Sequence, residues 1–189
     1  MADIDSELIN ELIEPDQFRN IGKEAPIKSV ARQKIIDYDT EVDIGKNRTA
    51  DILLIVQVGY NEYKLVVEVE NDRKPDFGET LRKIKRGKKY PTKVIIPKKF
   101  ERFAWRFQKS GIPVWYWTGI FKWLCRDPKC NKITTSTSSL TPIRCDHCKS
   151  KGTLEWDGKE KVEFTEAEKN PSINYEEYDL QVGTARGPW

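Results

Sequence analysis

The sequence lacks several features that would assign it to other classes of protein. None of its apolar runs approaches the roughly 20 residues needed to span a bilayer, so we expect no membrane partner. The opening stretch, MADIDSELINELIEPD, is acidic and has neither a basic nor an apolar segment, so it does not resemble a secretory signal, and we expect a cytoplasmic location. There is no internal repeat and no low-complexity tract.

Charge is unevenly distributed along the chain, although the formal net charge is only +3. Residues 73–109 hold fourteen Lys or Arg against three acids, whereas residues 155–189 hold nine acids against four bases. A basic zone favours a polyanionic partner such as nucleic acid, and a solvated helix face is the alternative. The candidate phosphate contacts in this zone are Arg73, Lys74, Arg82, Arg86, Lys88 and Lys89.

The hydrophobic pattern predicts an α/β protein with a mixed central sheet flanked by helices. The first predicted strands follow one another directly, and the later ones alternate with helices, which favours parallel pairing at that end. The predicted helices cover 5–14, 79–90 and 99–111, and the predicted strands cover 34–44, 49–58, 63–70, 92–97 and 112–119.

Three carboxylates fall in or beside two predicted strands. Asp51 opens one strand, and Glu68 and Glu70, two residues apart on the next, face the same way. If the strands pair as a hairpin, the three anions come close together, and their repulsion and lost hydration need an offset. Mg²⁺ or Mn²⁺ would supply it, since hard oxygen ligands suit these ions. The alternative is an edge strand with Glu68 and Glu70 in solvent.

The order of these elements, with Asp51, a hairpin, the stretch VEVE and then a basic helix, resembles the PD-(D/E)XK nuclease superfamily over residues 5–118. The resemblance implies a restriction-endonuclease-like core that hydrolyses phosphodiester bonds of DNA with Mg²⁺. Asp51 would match the first Asp of the motif and Glu68 its acidic residue. A Glu of the first helix often joins such sites, and Glu14 is favoured over Glu11 for that place.

The sequence departs from the family motif at one position, because Glu70 stands where the motif has lysine. Some restriction enzymes carry Glu there, and other members place the lysine on the next helix, where Lys83 and Lys85 are available. We favour Lys85, which borders the apolar helix face. The departure leaves open a non-catalytic nucleic-acid-binding protein on the same fold. RNA as substrate, and cleavage by a homodimer, also stay open.

All four cysteines lie within 24 residues, as Cys125-x4-Cys130 and Cys145-x2-Cys148. Two thiolate pairs on separate turns are typical of a tetrahedral structural Zn²⁺ site, and the segment resembles a zinc ribbon. His147 lies between two of the cysteines and is expected not to bind the metal. The predicted organisation is a nuclease-like core at 1–119, a zinc ribbon at 120–157 and an acidic C-terminal tail at 158–189.

Aromatic residues are concentrated in the stretch VWYWTGIFKW. Aromatic rings can stack on unpaired bases, but alternation along a strand favours burial in the core instead. We therefore predict core packing for Trp115, Tyr116, Trp117, Phe121 and Trp123.

Overall fold

The sheet begins with three strands that are connected as a meander. The computed structural model describes residues 33–45, 47–58, 60–70, 75–87, 89–138 and 140–175. Strands β1 (Gln33–Asp43), β2 (Thr49–Val58) and β3 (Asn61–Val69) pair antiparallel in chain order. Because Ile52 lies opposite Val67 in the β2–β3 ladder, the start of β2 lies beside the end of β3. The predicted hairpin is therefore confirmed.

The next elements alternate between helix and strand. Helix α1 (Phe77–Arg86) leads to β4 (Thr92–Pro97), which pairs parallel to β3. Strand β5 (Val114–Cys125) then pairs parallel to β4. Parallel neighbours need a crossover connection, and α1 supplies one between β3 and β4. The predicted parallel pairing is confirmed.

Helix α1 has a clear start and a clear inner face. The Asp76 carboxylate accepts a hydrogen bond from the Glu79 backbone N–H at 3.0 Å, which caps the first turn. Phe77, Thr80 and Ile84 recur at helical spacing and are buried. Phe77 and Ile84 share one apolar cluster with Val94 and Ile96 of β4, the strand beside β3.

The predicted helix over 99–111 is formed only in part. It consists of a 3₁₀ helix (Lys98–Phe103) and a short helix α2 (Trp105–Gln108), with non-helical dihedral angles at Phe100. The aromatic rings nevertheless share one side, because the ring centroids of Phe103 and Phe107 lie 5.5 and 6.1 Å from that of Phe77. Aromatic packing against α1 therefore positions a segment that lacks a continuous helix.

Strand β5 extends beyond its predicted end at residue 119 and reaches Cys125. Strand β7 (Leu154–Glu166) pairs antiparallel with one edge of β5 from Trp115 to Cys125, and β6 (Ile133–Ser136) pairs with the other edge near Cys125. Residues 158–166, which the sequence analysis places in the acidic tail, are thus strand. The division of the chain into domains stays a prediction.

Aromatic side chains of β5 fill the core on one face of the sheet. Trp115, Trp117, Phe121 and Trp123 are each at most 4% exposed. The Trp123 ring meets Trp156 of β7 edge-on, with 5.2 Å between centroids. Side chains this buried have no surface on which a base could stack, so for these four the predicted core packing is confirmed.

Within the described residues, seven strands form one mixed sheet, accompanied by α1, the 3₁₀ helix and α2. The predicted α/β class with a mixed sheet is confirmed, while its identity as a restriction-endonuclease-like fold stays a prediction. None of the described helices has the length and apolar character needed to cross a membrane.

Candidate functional site

Glu68 lies at the end of β3 and is buried against an arginine. Arg48, in the turn between β1 and β2, donates to Glu68 Oε1 from Nη2 at 2.7 Å and from Nε at 3.2 Å. Its guanidinium also donates to the Gly87 carbonyl oxygen at 3.4 Å and to Thr92 Oγ1 at 3.5 Å. Both side chains are less than 10% exposed, so Arg48 is the cation that neutralises this buried carboxylate.

The Glu68 carboxyl has a pKa close to neutral pH. Burial, and after it the negative charge of Asp51, raise the pKa of the Glu68 carboxyl from 4.5 to about 7. Hydrogen bonding and charge from Arg48 oppose this rise, and the charge of Lys83 opposes it as well. Asp51 and Glu68 are therefore close enough to interact, as the hairpin predicts.

The other two carboxylates also reach the end of β3. Asp51 Oδ2 accepts a hydrogen bond from the backbone N–H of Val69 at 2.7 Å. Glu70 Oε1 accepts one from the hydroxyl of Thr80 on α1. The indole N–H of Trp117 donates to the Glu70 carbonyl oxygen at 2.8 Å, which holds the backbone at that point. Glu70 contacts α1 through the Thr80 hydroxyl. Glu68 is connected to the end of α1 through Arg48, which also contacts the Gly87 carbonyl oxygen.

These three carboxylates do not form a ready ligand set for Mg²⁺. Each has a hydrogen-bond donor from the protein, and Oε1 of Glu68 is taken by Arg48. In the part of the chain that the structure describes, only the four cysteines bring three or more potential metal ligands together. A magnesium site here would require the side chains to rearrange.

The two lysines of α1, Lys83 and Lys85, differ in whether their charge acts on Glu68. Thr80, Lys83 and Gly87 recur every three or four residues, so they lie along one side of α1, towards Glu70, Glu68 and Arg48. Lys83 is the lysine whose charge acts on Glu68. Lys85, the lysine favoured from the sequence, is exposed, and its catalytic role stays a prediction.

The predicted phosphate contacts that the structure describes lie on the surface. Arg82, Arg86 and Lys89 are exposed, and Arg82 pairs with Glu79 at 2.8 Å. Four further predicted residues lie outside the described part of the chain, namely Glu14, Arg73, Lys74 and Lys88.

The four cysteines converge where β5 ends. Sγ of Cys125 lies 3.7 Å from Sγ of Cys148, and Sγ of Cys130 lies 3.8 Å from Sγ of Cys145. All four sulfurs lie within 4.8 Å of one another. Tetrahedral bonds of about 2.3 Å to Zn²⁺ place sulfurs about 3.8 Å apart, so the donor type and the spacing both fit zinc. The cluster could therefore bind a metal ion such as zinc.

Groups around the cysteines favour the thiolate form at one side of the cluster. Hydrogen bonds, first from the Cys148 backbone N–H and then from Thr134 and the His147 backbone N–H, lower the pKa of Cys145 to about 6. Desolvation raises the pKa of Cys130 to about 12. The His147 ring turns away from the sulfurs, with Nε2 2.9 Å from the Ile133 carbonyl oxygen. This position agrees with the expectation that His147 does not bind the metal.

The sequence analysis missed Arg48 and Thr80 as partners of the carboxylates. It did identify the need for a positive charge beside the buried acids, but it assigned that charge to a metal ion. The sequence signal for Arg48 is its place three residues before Asp51, at the tight turn that precedes β2. Its pairing with Glu68 depends on the β2–β3 register, which brings a residue 20 positions away into contact.

No protein-family model, curated protein or solved structure matches this chain.

Proposed function

We propose that this protein is a nuclease that hydrolyses phosphodiester bonds of DNA, with Mg²⁺ or Mn²⁺ as cofactor and Asp51, Glu68 and Glu70 as its ligands. The observation that carries the proposal is the interaction of Asp51 with Glu68 at the end of β3, where Glu70 follows two residues after Glu68. A carboxyl with a pKa raised by burial and by a neighbouring acid is typical of catalytic sites.

Positive charge near the acids supports a nucleic-acid substrate. Lys83 acts on Glu68 from α1, and Arg82, Arg86 and Lys89 are exposed on and just after the same helix. Exposed Lys and Arg side chains bind phosphates and release counterions, independent of base sequence. The proposal therefore includes binding along α1 without strong sequence preference.

Opening of the Arg48–Glu68 pair is part of the proposal. Arginine binds phosphate groups in the same forked geometry that it uses for carboxylates. A DNA phosphate arriving at the end of β3 would compete for Arg48 and release Glu68 Oε1. The three acids would then be available together only when the substrate is bound.

Cleavage assays on Asp51→Asn and Glu68→Gln test the proposal. We expect the wild-type protein to cut plasmid, linear or branched DNA with Mg²⁺ or Mn²⁺ but not with EDTA. Both variants should lose cutting while they keep DNA binding, and Asp157→Asn, which changes an exposed acid of β7, should cut normally. Circular dichroism checks that each variant is folded. If Glu68→Gln is unstable, Asp51→Asn alone tests the assignment. Undiminished cutting by both folded variants would refute the assignment of the acids.

A second candidate is a nucleic-acid-binding protein that does not cut. The Arg48–Glu68 pair favours it, because an arginine fills the place that a metal would take. This candidate predicts salt-sensitive binding of DNA and no cleavage with any divalent metal. Structured RNA in the same assay decides whether RNA replaces DNA as the substrate.

A further inference from the structure

An open pocket of about 350 Å³ lies between the β1–β2 turn and the segment that joins α1 to β4. Its lining residues are Val42, Asp43, Ile44, Gly45, Leu53, Lys64, Lys89 and Tyr90. Ile44 and Leu53 are buried and belong to a small apolar cluster against which Tyr90 packs. The floor of the pocket is therefore apolar, and the half-buried Tyr90 forms an aromatic wall.

The ammonium groups of two lysines lie over the ring of Tyr90. Lys89 Nζ lies 5.0 Å and Lys64 Nζ lies 5.9 Å from the ring centroid, and both side chains are exposed. A hydrogen bond with the Lys89 ammonium group lowers the pKa of the Tyr90 hydroxyl. The Asp43 carboxylate also lines the pocket and accepts a hydrogen bond from the Gly45 backbone N–H at 2.8 Å, so the two lysines leave one positive charge in excess. An apolar floor, a flat aromatic wall and this net positive charge together suit a ligand that is flat and also anionic. A nucleotide has both properties.

The pocket adjoins the carboxylates on the same face of the sheet. Leu53 lies opposite Val66 in the β2–β3 ladder, and Glu68 follows two residues after Val66. Residues two apart on a strand point to the same face and lie about 7 Å apart. In addition, the Thr92 hydroxyl, which Arg48 contacts, donates to the Tyr90 carbonyl oxygen at 3.2 Å. A strand that passes Glu68 would therefore place a neighbouring nucleotide at Tyr90.

We propose that this pocket binds one nucleotide of an unpaired nucleic-acid strand, with its base against Tyr90 and its phosphates on Lys64 and Lys89. Bases stack on aromatic side chains when they are free of their own helix, whereas a base within an intact duplex is covered on both faces. The inference rests on the proposed nucleic-acid function and narrows its substrate to single-stranded or locally unpaired regions.

Fluorescence anisotropy in EDTA tests this pocket without interference from cleavage. The probes are a labelled oligo-dT strand and a blunt-ended, fully paired DNA duplex with the same number of phosphates. We expect Tyr90→Ala to bind oligo-dT about tenfold more weakly or worse, since base stacking on an aromatic side chain contributes that much. Tyr90→Phe keeps the ring and should bind nearly as the wild type does. Tyr60→Ala, which removes a fully exposed tyrosine from the β2–β3 turn, should have no effect.

The salt dependence of oligo-dT binding tests the lysines separately. Lys64→Ala should reduce the slope of log K against log salt by about 0.7, because one phosphate contact to a single strand is lost. This variant also keeps the test decisive if Tyr90→Ala unfolds.

The outcomes separate this inference from the proposed function. Wild-type protein that binds neither probe overturns both. The pocket alone is overturned if Tyr90→Ala and Lys64→Ala bind DNA as the wild type does. It is also overturned if Tyr90→Ala weakens the binding of oligo-dT and of the duplex equally. Selective loss of oligo-dT binding supports the pocket even if the wild type proves unable to cut DNA.

Discussion

Nη2 of Arg48 lies 2.7 Å from Oε1 of Glu68, and both side chains are shielded from solvent. The pair joins the β1–β2 turn to the end of β3, and through the Gly87 carbonyl oxygen it also contacts the end of α1. A cation that binds Oε1 of Glu68 must displace this guanidinium. The pair is therefore a structural contact and, under the proposed function, the contact that must open before Glu68 Oε1 can bind a metal ion.

Loss of Arg48 should destabilise the fold strongly. Arg48→Ala leaves Glu68 buried without its partner, and breaking a buried ion pair in this way costs about 3–5 kcal/mol. We expect urea unfolding to show this loss, whereas Arg126→Ala, which breaks an exposed pair with Glu155, should cost less than about 1 kcal/mol. The double change Arg48→Met with Glu68→Leu should recover most of the stability. Equal effects of Arg48→Ala and Arg126→Ala would show that the buried pair contributes little.

Stability should depend on pH through Glu68. Its folded-state pKa is about 7 against an ordinary value of 4.5, so between these values the folded protein binds more protons than the unfolded chain does. The contribution of Glu68 is therefore fully present below about pH 4.5 and is lost as the pH rises through about 7. The shift corresponds to a change on the order of 3 kcal/mol in the free energy of unfolding.

Urea unfolding of wild type and Glu68→Gln from pH 4 to pH 8 measures this effect as a difference between the two proteins. Glutamine does not titrate, so the stability of the wild type should fall relative to the variant as the pH rises. A relative rise over the same range would mean that Arg48 outweighs burial and that the carboxyl has a lowered pKa.

Two lysines of α1 should have unequal effects on Glu68. The charge of Lys83 lowers the pKa of Glu68, so Lys83→Ala should raise that pKa further. Lys85→Ala should leave it unchanged, since no such effect of Lys85 accompanies that of Lys83. The measurement is a ¹³C NMR titration of the Glu68 carboxyl group. An equal shift in both variants would instead support Lys85 as the lysine of the site.

The cysteine cluster should hold one zinc ion per chain. Cys145→Ser removes a buried ligand and should abolish stoichiometric zinc, as measured by elemental analysis of purified protein. His147→Ala is the matched control in the same turn and should retain the metal, because its ring nitrogen lies beside the Ile133 carbonyl oxygen. Full zinc content in Cys145→Ser, or its loss in His147→Ala, would change the ligand assignment.

Local pattern predicts most of the strands and α1, because period-two and helical spacing of apolar residues follow directly from strand and helix geometry. Strands β2 and β4 begin and end at the predicted residues. The break at Phe100 and the extension of β5 to Cys125 follow no such spacing. They result from aromatic packing on α1 and from pairing with β6 and β7, which are contacts made at long range.

The sequence by itself determined the alternation of elements, the four cysteines that could bind a metal ion and the need for positive charge beside Glu68, since each follows from residue type and short spacing. Only the tertiary structure decided which cation meets that need. Arg48 and Glu68 lie 20 residues apart, and the β2–β3 register brings them together. A buried acid pairs with whichever cation the fold places within hydrogen-bonding distance. That distance cannot be read from the spacing of residues along the sequence.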